Sequence, residues 1–240
     1  MKKFLKLSVL CISLVFTSQA LSKPLFHEKR YPKGDGPFPA VILLHTSGGF
    51  YTVLNQLKPY TQRGYAAYAP DFFTRHKITK ANRFDTWTKY RRDIEKELIE
   101  IVEVMKNDPK VDKNNIFAAG FSNGGYWATF LAGRNHVNAG ASHYGVWWWG
   151  TWNGYPVKYL SKDSNPVLAL HGLKETVSKW EHTMPQFSAA EWASPKFKKV
   201  LFPNVGHSWD CKLCKEDGYN AEVTQKALDL TIEFFEQNKK

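Results

Sequence analysis

The stretch "FAAGFSNGGYW", residues 117–127, decides how the rest of the chain is read. Ser122 stands between Gly120 and Gly124, with Gly125 next. The residues before it, "NIFAAGF", are almost continuously apolar, and those after it, "GYWATFLAG", carry a helical pattern. A strand that turns sharply into a helix lifts a serine hydroxyl above a sheet, and the helix N-terminus offers amide donors to developing negative charge. The same glycines suit any tight corner, so a nucleophile at Ser122 needs a base and an acid at later strand ends.

Working outward, apolar runs recur at 40–45 ("AVILLH"), 65–70 ("YAAYAP"), 115–121, 139–145 ("AGASHYG"), 166–172 ("PVLALHG") and 198–204 ("KKVLFPN"). Their lack of polar alternation marks strands covered on both faces. Helical patterns lie between them. One runs from about Asp85 to Asn107, with Trp87, Tyr90, Ile94, Leu98, Ile101 and Met105 three and four apart, and stops at Asp108-Pro109. Another runs from about Asn220 to Gln237 behind an Asn220 cap. Alternating strands and helices predict an α/β fold, a mostly parallel sheet flanked by helices on both faces, with ligands bound beyond the carboxyl ends of the strands.

The chain has 240 residues, 43% hydrophobic and 15% aromatic, which suits one compact domain. Residues 1–20 stand apart from it. "MKKFLKLSVLCISLVFTSQA" has a basic start, an apolar run from Leu7 to Phe16, and Ser18 and Ala20 placed for cleavage, so it reads as a signal peptide cut after about Ala20. The run is too short to span a bilayer as a helix, and Cys11 sits inside it rather than at its end. The expectation is an exported, periplasmic or secreted domain over 21–240, with no stable membrane insertion. Loss of the three signal lysines takes the formal charge from +11 to +8. The remaining basic residues are scattered and interleaved with acids, as in "RRDIEKELIEIVE", so no nucleic-acid partner is expected.

Of the eight histidines, seven are weighed for the role of base. His27 precedes the apolar runs, His76 and His136 fall in loops, and His182 falls in a helical stretch. His45 and His171 close strands and suit core or corner positions. His207, in "LFPNVGHSW", follows the last strand and precedes the last helix, where a general base is required. Imidazole suits the task because it titrates near neutrality. For the acid, Glu175 is the first carboxylate after "PVLALHG", with Asp163 and Glu181 as alternatives. The order Ser122, Glu175, His207 is that of a nucleophile, acid and histidine triad on such a sheet. The oxyanion donors expected are the Asn123 amide and an amide of Ser47 or Thr46 in "TSGGF".

These pieces, with "PAVILLH", "YAAYAPDFFTR", "IFAAGFSNGG" and "VGHSW", resemble the dienelactone hydrolase family of α/β-hydrolases from about Pro37 to Phe235. The resemblance implies a small hydrolase of esters and lactones, with no large cap domain and no metal or organic cofactor, acting on a small-molecule ester or lactone. Two departures sharpen it. This chain has Ser122 where the founding enzymes carry cysteine, and no acid occurs between Asp35 and Asp71, where they place a glutamate. A serine esterase is therefore expected rather than a dienelactone hydrolase in the strict sense. The family's substrate-facing arginine corresponds to Arg75 in "APDFFTR".

Two features stand outside that pattern. "YGVWWWGTWNGYP", residues 144–156, places Trp147, Trp148, Trp149, Trp152 and Tyr155 after a strand end, either lining a substrate pocket or filling a satellite core. A ligand-binding protein that uses this segment without turnover is the competing function. Cys211 and Cys214 in "DCKLC" lack the strand-helix setting of a redox pair and the further ligands of a zinc site, so a local disulfide bracing the histidine loop is expected, with free thiols as the alternative.

Overall fold

The computed structural model describes residues 23–148, 155–212, 214 and 218–240. The expected signal peptide and residues Trp149 and Trp152 lie outside the described residues. Seven strands form one sheet: β1 (His27–Arg30), β2 (Phe38–Leu44), β3 (Ala66–Pro70), β4 (Val111–Phe121), β5 (Gly140–His143), β6 (Val167–Gly172) and β7 (Phe197–Phe202). Their order is β1-β3-β2-β4-β5-β6-β7. All neighbours from β3 to β7 run parallel, and only β1 pairs antiparallel, on β3.

Among the described residues five α-helices cover the two faces: α1 (Leu57–Gln62), α2 (Arg91–Lys106), α3 (Asn123–Gly133), α4 (Trp180–Ala193) and α5 (Ala221–Glu236). The pleat sorts one apolar run into two cores. Along β2, Ala40, Ile42 and Leu44 pack with Leu98, Ile101, Trp127 and Phe187 of α2, α3 and α4. Val41 and Leu43 point the other way, to Leu57 and Tyr60 of α1 and Phe234 and Phe235 of α5. Burial on both sides is why the runs show no alternation. As the sequence implies, Asn220 caps α5, its Oδ1 accepting the Val223 N–H at 2.9 Å.

Two elements differ from the sequence reading. The helix expected from Asp85 begins at Arg91. Residues Arg83–Thr86 form a 3-10 turn, and the Tyr90 N–H donates to the Asp85 carbonyl, a five-residue closure that no α-helix continues. β1, "HEKR", is polar and mostly exposed, so hydrophobic patterning does not reveal it. It is a short, charged edge strand held by backbone pairing, with Asp71 N–H to the Phe26 carbonyl extending the ladder.

Candidate active site

Parallel pairing brings the carboxyl ends of β2, β4, β5, β6 and β7 to one edge of the sheet, and the site is assembled there. Ser122 links β4 to α3 with φ 53° and ψ −111°, a strained conformation for a residue with a side chain. Close approach explains its neighbours. A Cβ on Gly120 would lie 1.9 Å from the Gly124 carbonyl oxygen, and one on Gly124 would lie 2.0 Å from that of Leu44. The turn is tied down by Ser122 N–H to the His143 carbonyl at 3.0 Å, while the Ser122 carbonyl accepts from Gly125 at 2.9 Å and Val146 at 3.2 Å.

His207 and Glu175 arrive on adjacent loops. Past β6 the Leu173 N–H donates to the Phe202 carbonyl and the Lys174 N–H to that of Val205, so the two loops are joined before either catalytic candidate is reached. His207 Nε2 lies 2.8 Å from Ser122 Oγ, and its Nδ1 lies 2.8 Å from Glu175 Oε2. The second Glu175 oxygen accepts the Val177 N–H at 3.0 Å and the Ser178 N–H at 3.3 Å. All three side chains are buried. With Glu175 accepting from Nδ1–H, Nε2 is left to accept the serine proton, the tautomer a general base needs. Asp163 and Glu181, the alternative acids, are exposed and make no contact with this imidazole among the described residues.

Asn123 is the first residue of α3, so its N–H has no acceptor within the helix. Its side-chain Nδ2 reaches Ser47 Oγ at 3.4 Å, joining the elbow to the loop after β2. Of the two candidates in that loop, the Thr46 amide already donates to Thr52 Oγ1 at 3.2 Å, which leaves the Ser47 amide as the remaining candidate.

The remaining histidines take other roles. His171 is buried between Trp180 and Phe187, and burial lowers its pKa to about 4. His45 stacks on Phe72 at 3.7 Å between ring centroids, with Nδ1 against the Thr46 carbonyl, and burial lowers it to about 4 as well.

The structure does not bring Arg75 to the site. Its guanidinium pairs with Glu97 Oε1 at 2.9 Å and donates to the Lys23 carbonyl, while His76 Nε2 takes the other Glu97 oxygen at 2.8 Å. Glu97 is buried, and a buried carboxylate needs such partners. Trp147 is also corrected: it is 1% exposed and packs edge-on against Phe187 at 5.1 Å and Phe197 at 5.5 Å, inside the core. Trp148 is half-buried and stacks on His182 at 4.2 Å. The expected disulfide joins Cys211 to Cys214, with Cα atoms 5.3 Å apart.

A polar cluster beside His207 escapes the sequence reading. Tyr144 Oη donates to Asp210 Oδ1 at 2.6 Å, and Gln56 Nε2 donates to Asp210 Oδ2 at 2.8 Å. These residues are far apart in sequence and carry no shared motif; the register of β5 and the path of the His207 loop bring them together. Among the described residues no group of histidine, cysteine and acidic side chains is placed to hold a metal ion.

The model of the dienelactone hydrolase family matches residues 29–239. A Yersinia pestis protein named "Putative carboxymethylenebutenolidase" is 23% identical over 220 residues, covering 85% of this chain and 79% of its own length. Among solved structures, the "Putative Dienelactone Hydrolase" of Klebsiella pneumoniae superposes with a TM-score of 0.74 at 22% identity, covering 88% of this chain and 92% of the other. The propionate-bound esterase 2 of Thermogutta terrifontis superposes with a TM-score of 0.66 at 18% identity and 88% coverage of each chain.

Proposed function

Because the chain belongs to the dienelactone hydrolase family, we propose that it is a serine hydrolase that cleaves a small carboxylic ester or lactone through an acyl-enzyme on Ser122. The observation that carries this reading is the unbroken line of hydrogen bonds from Ser122 Oγ through His207 to Glu175, both links 2.8 Å long. Ser122 Oγ attacks the carbonyl carbon while its proton passes to His207 Nε2. Glu175 holds the ring and balances the imidazolium without taking the proton. The Asn123 and Ser47 amides receive the oxyanion. His207 then returns the proton to the leaving oxygen, and water attacks the acyl-enzyme by the same route reversed. For a lactone the leaving oxygen stays tethered to the acyl chain.

Export with removal of the first twenty residues belongs to the same proposal. It is supported by the Cys211–Cys214 disulfide, since such bonds persist chiefly in oxidising compartments. Among the described residues no helix is long and apolar enough to cross a membrane.

Pre-steady-state hydrolysis of short-chain p-nitrophenyl esters tests the acyl-enzyme directly. A burst of nitrophenolate and a transient acyl adduct on the peptide containing Ser122 are expected; turnover that survives Ser122→Ala would overturn the assignment.

A further inference from the structure

Tyr144 follows the last residue of β5 and has φ 36°, in the left-handed region that a bulky side chain rarely adopts. Such a conformation persists only where several contacts impose it. Here its N–H donates to the Leu170 carbonyl at 2.8 Å, its ring meets Trp209 edge-on at 4.8 Å, and its hydroxyl is fixed by Asp210. The consequence is that the Tyr144 ring stands edge-on to the His207 imidazole, with centroids 5.0 Å apart and planes at 66°. Glu175 occupies Nδ1 and Ser122 occupies Nε2, so the tyrosine covers a third side of the base.

Asp210 lies three residues beyond His207 on the same loop. Both its oxygens accept hydrogen bonds, from Tyr144 and from Gln56, the donor set that suits an ionised carboxylate. Burial opposes that charge and holds the Asp210 pKa above the usual carboxylate value, with the Tyr144 hydrogen bond and the proximity of His207 offsetting only part of the rise. Tyr144 itself is pushed well above the usual phenol range by burial and by the same acid, so it stays protonated and keeps donating. The loop is also anchored to α5, because the Trp209 carbonyl accepts the Asn220 N–H at 2.8 Å and the Thr224 hydroxyl at 3.0 Å.

We propose that Asp210 is a positioning residue for His207, acting through Tyr144, and that its carboxylate is a second negative charge behind the imidazolium formed during turnover. The inference rests on the reading of Ser122, His207 and Glu175 given above. No proton reaches Asp210: it travels from Ser122 Oγ to His207 Nε2 and on to the leaving oxygen. The groups that face His207 are Glu175 beyond β6, His171 within β6, Tyr144 beyond β5, Ser122 after β4, and Asp210. Of these, His171 and Tyr144 are neutral near pH 7. Glu175 and Asp210 are the two carboxyl groups placed around the ring, one on Nδ1 and one behind Tyr144.

The test is steady-state hydrolysis of p-nitrophenyl acetate from pH 4.5 to 9 by the wild type, Asp210→Asn and Tyr144→Phe. Asp210→Asn is expected to lower kcat about tenfold with KM within about twofold, as for loss of an orienting partner acting only through the base. Its acid limb in kcat/KM is expected to move down by about half a pH unit, because the protonated imidazole loses a counter-charge. Tyr144→Phe keeps the ring and the charge, so it should lower kcat by about threefold or more with the acid limb in place. A folded Asp210→Asn enzyme with wild-type kcat and an unmoved acid limb would overturn the proposal. If that variant does not fold, unchanged kcat in Tyr144→Phe overturns it equally. A wild type that hydrolyses no ester and takes no serine-directed label would instead sink the parent reading.

Discussion

Glu175 and His207 are joined twice, once by the 2.8 Å contact between carboxylate and Nδ1 and once by the backbone, through the Lys174 N–H and the Val205 carbonyl. The second link sets the first. A Cβ on Gly172 would lie 2.3 Å from the Val205 carbonyl oxygen, so the end of β6 must be bare for the two loops to meet. Glu175→Gln preserves size but loses the negative charge and can turn an amide N–H toward Nδ1, which favours the wrong tautomer of His207. It is expected to reduce kcat by about 10³- to 10⁴-fold with little change in KM. Rates within a few-fold of wild type would move the acid elsewhere.

The nucleophile elbow makes a stability prediction of its own. With 2.0 Å between the position of a Gly124 Cβ and the Leu44 carbonyl oxygen, Gly124→Ala must push α3 away from β2. Overpacking against backbone is expected to cost about 3 kcal/mol or more, read as a lowered urea midpoint, or to abolish soluble expression. Wild-type stability in that variant would show that the turn is loose.

Acid stability follows from histidines that are buried uncharged. Burial lowers His171 to about 4, His45 to about 4 and His143 to about 3, all below an unfolded value near 6.5. Between those limits the unfolded chain binds more protons than the folded one, so stability is complete above about pH 6.5 and falls as pH drops toward 4. Each group contributes up to about 3 kcal/mol across that window. Thermal unfolding at pH 7, 5.5 and 4.5 should show Tm falling steeply, and less steeply in His171→Phe, whose ring fits beside Trp180 and Phe187. Equal slopes in the two proteins would contradict the assignment.

Arg75 separates a structural from a substrate-facing role. Its guanidinium is engaged by Glu97 and the Lys23 carbonyl, and is about one-third exposed. Arg75→Ala should lower stability by about 1 kcal/mol, a partly exposed pair being screened by solvent. The ratio of kcat/KM for anionic to neutral esters should not change; a selective loss on anionic esters would return Arg75 to the site.

Among the described residues, six of the seven strands were legible as apolar runs; β2, β3, β5 and β6 are buried along most or all of their length, while the edge strand β7 is apolar mainly in its second half, and α5 was legible through its Asn220 cap. The order in which Ser122, Glu175 and His207 follow their strands singled out three side chains that the structure brings within hydrogen-bond reach of one another. What escaped was set by tertiary geometry rather than local pattern. β1 is polar because an edge strand is held by backbone pairing and by surface contacts such as Lys29 with Asp108, which need no apolar pattern. The aromatic run at 144–156 left a pocket and a satellite core equally open; Trp147 turns into the core, and Tyr144 turns to His207. Arg75 could not be assigned without knowing that Glu97 is buried beside it. Asp210, ten residues before its helix cap at Asn220, looked like an ordinary loop acid until β5 placed a tyrosine against it.

The central claim is that Ser122 is a nucleophile activated by His207. Intact-mass measurement after exposure of the folded protein to a fluorophosphonate tests it most directly. The account predicts one adduct per chain, mapped to Ser122, and none in Ser122→Ala or in unfolded wild type. A folded wild type that takes no label, or a Ser122→Ala variant labelled to the same extent, would contradict it.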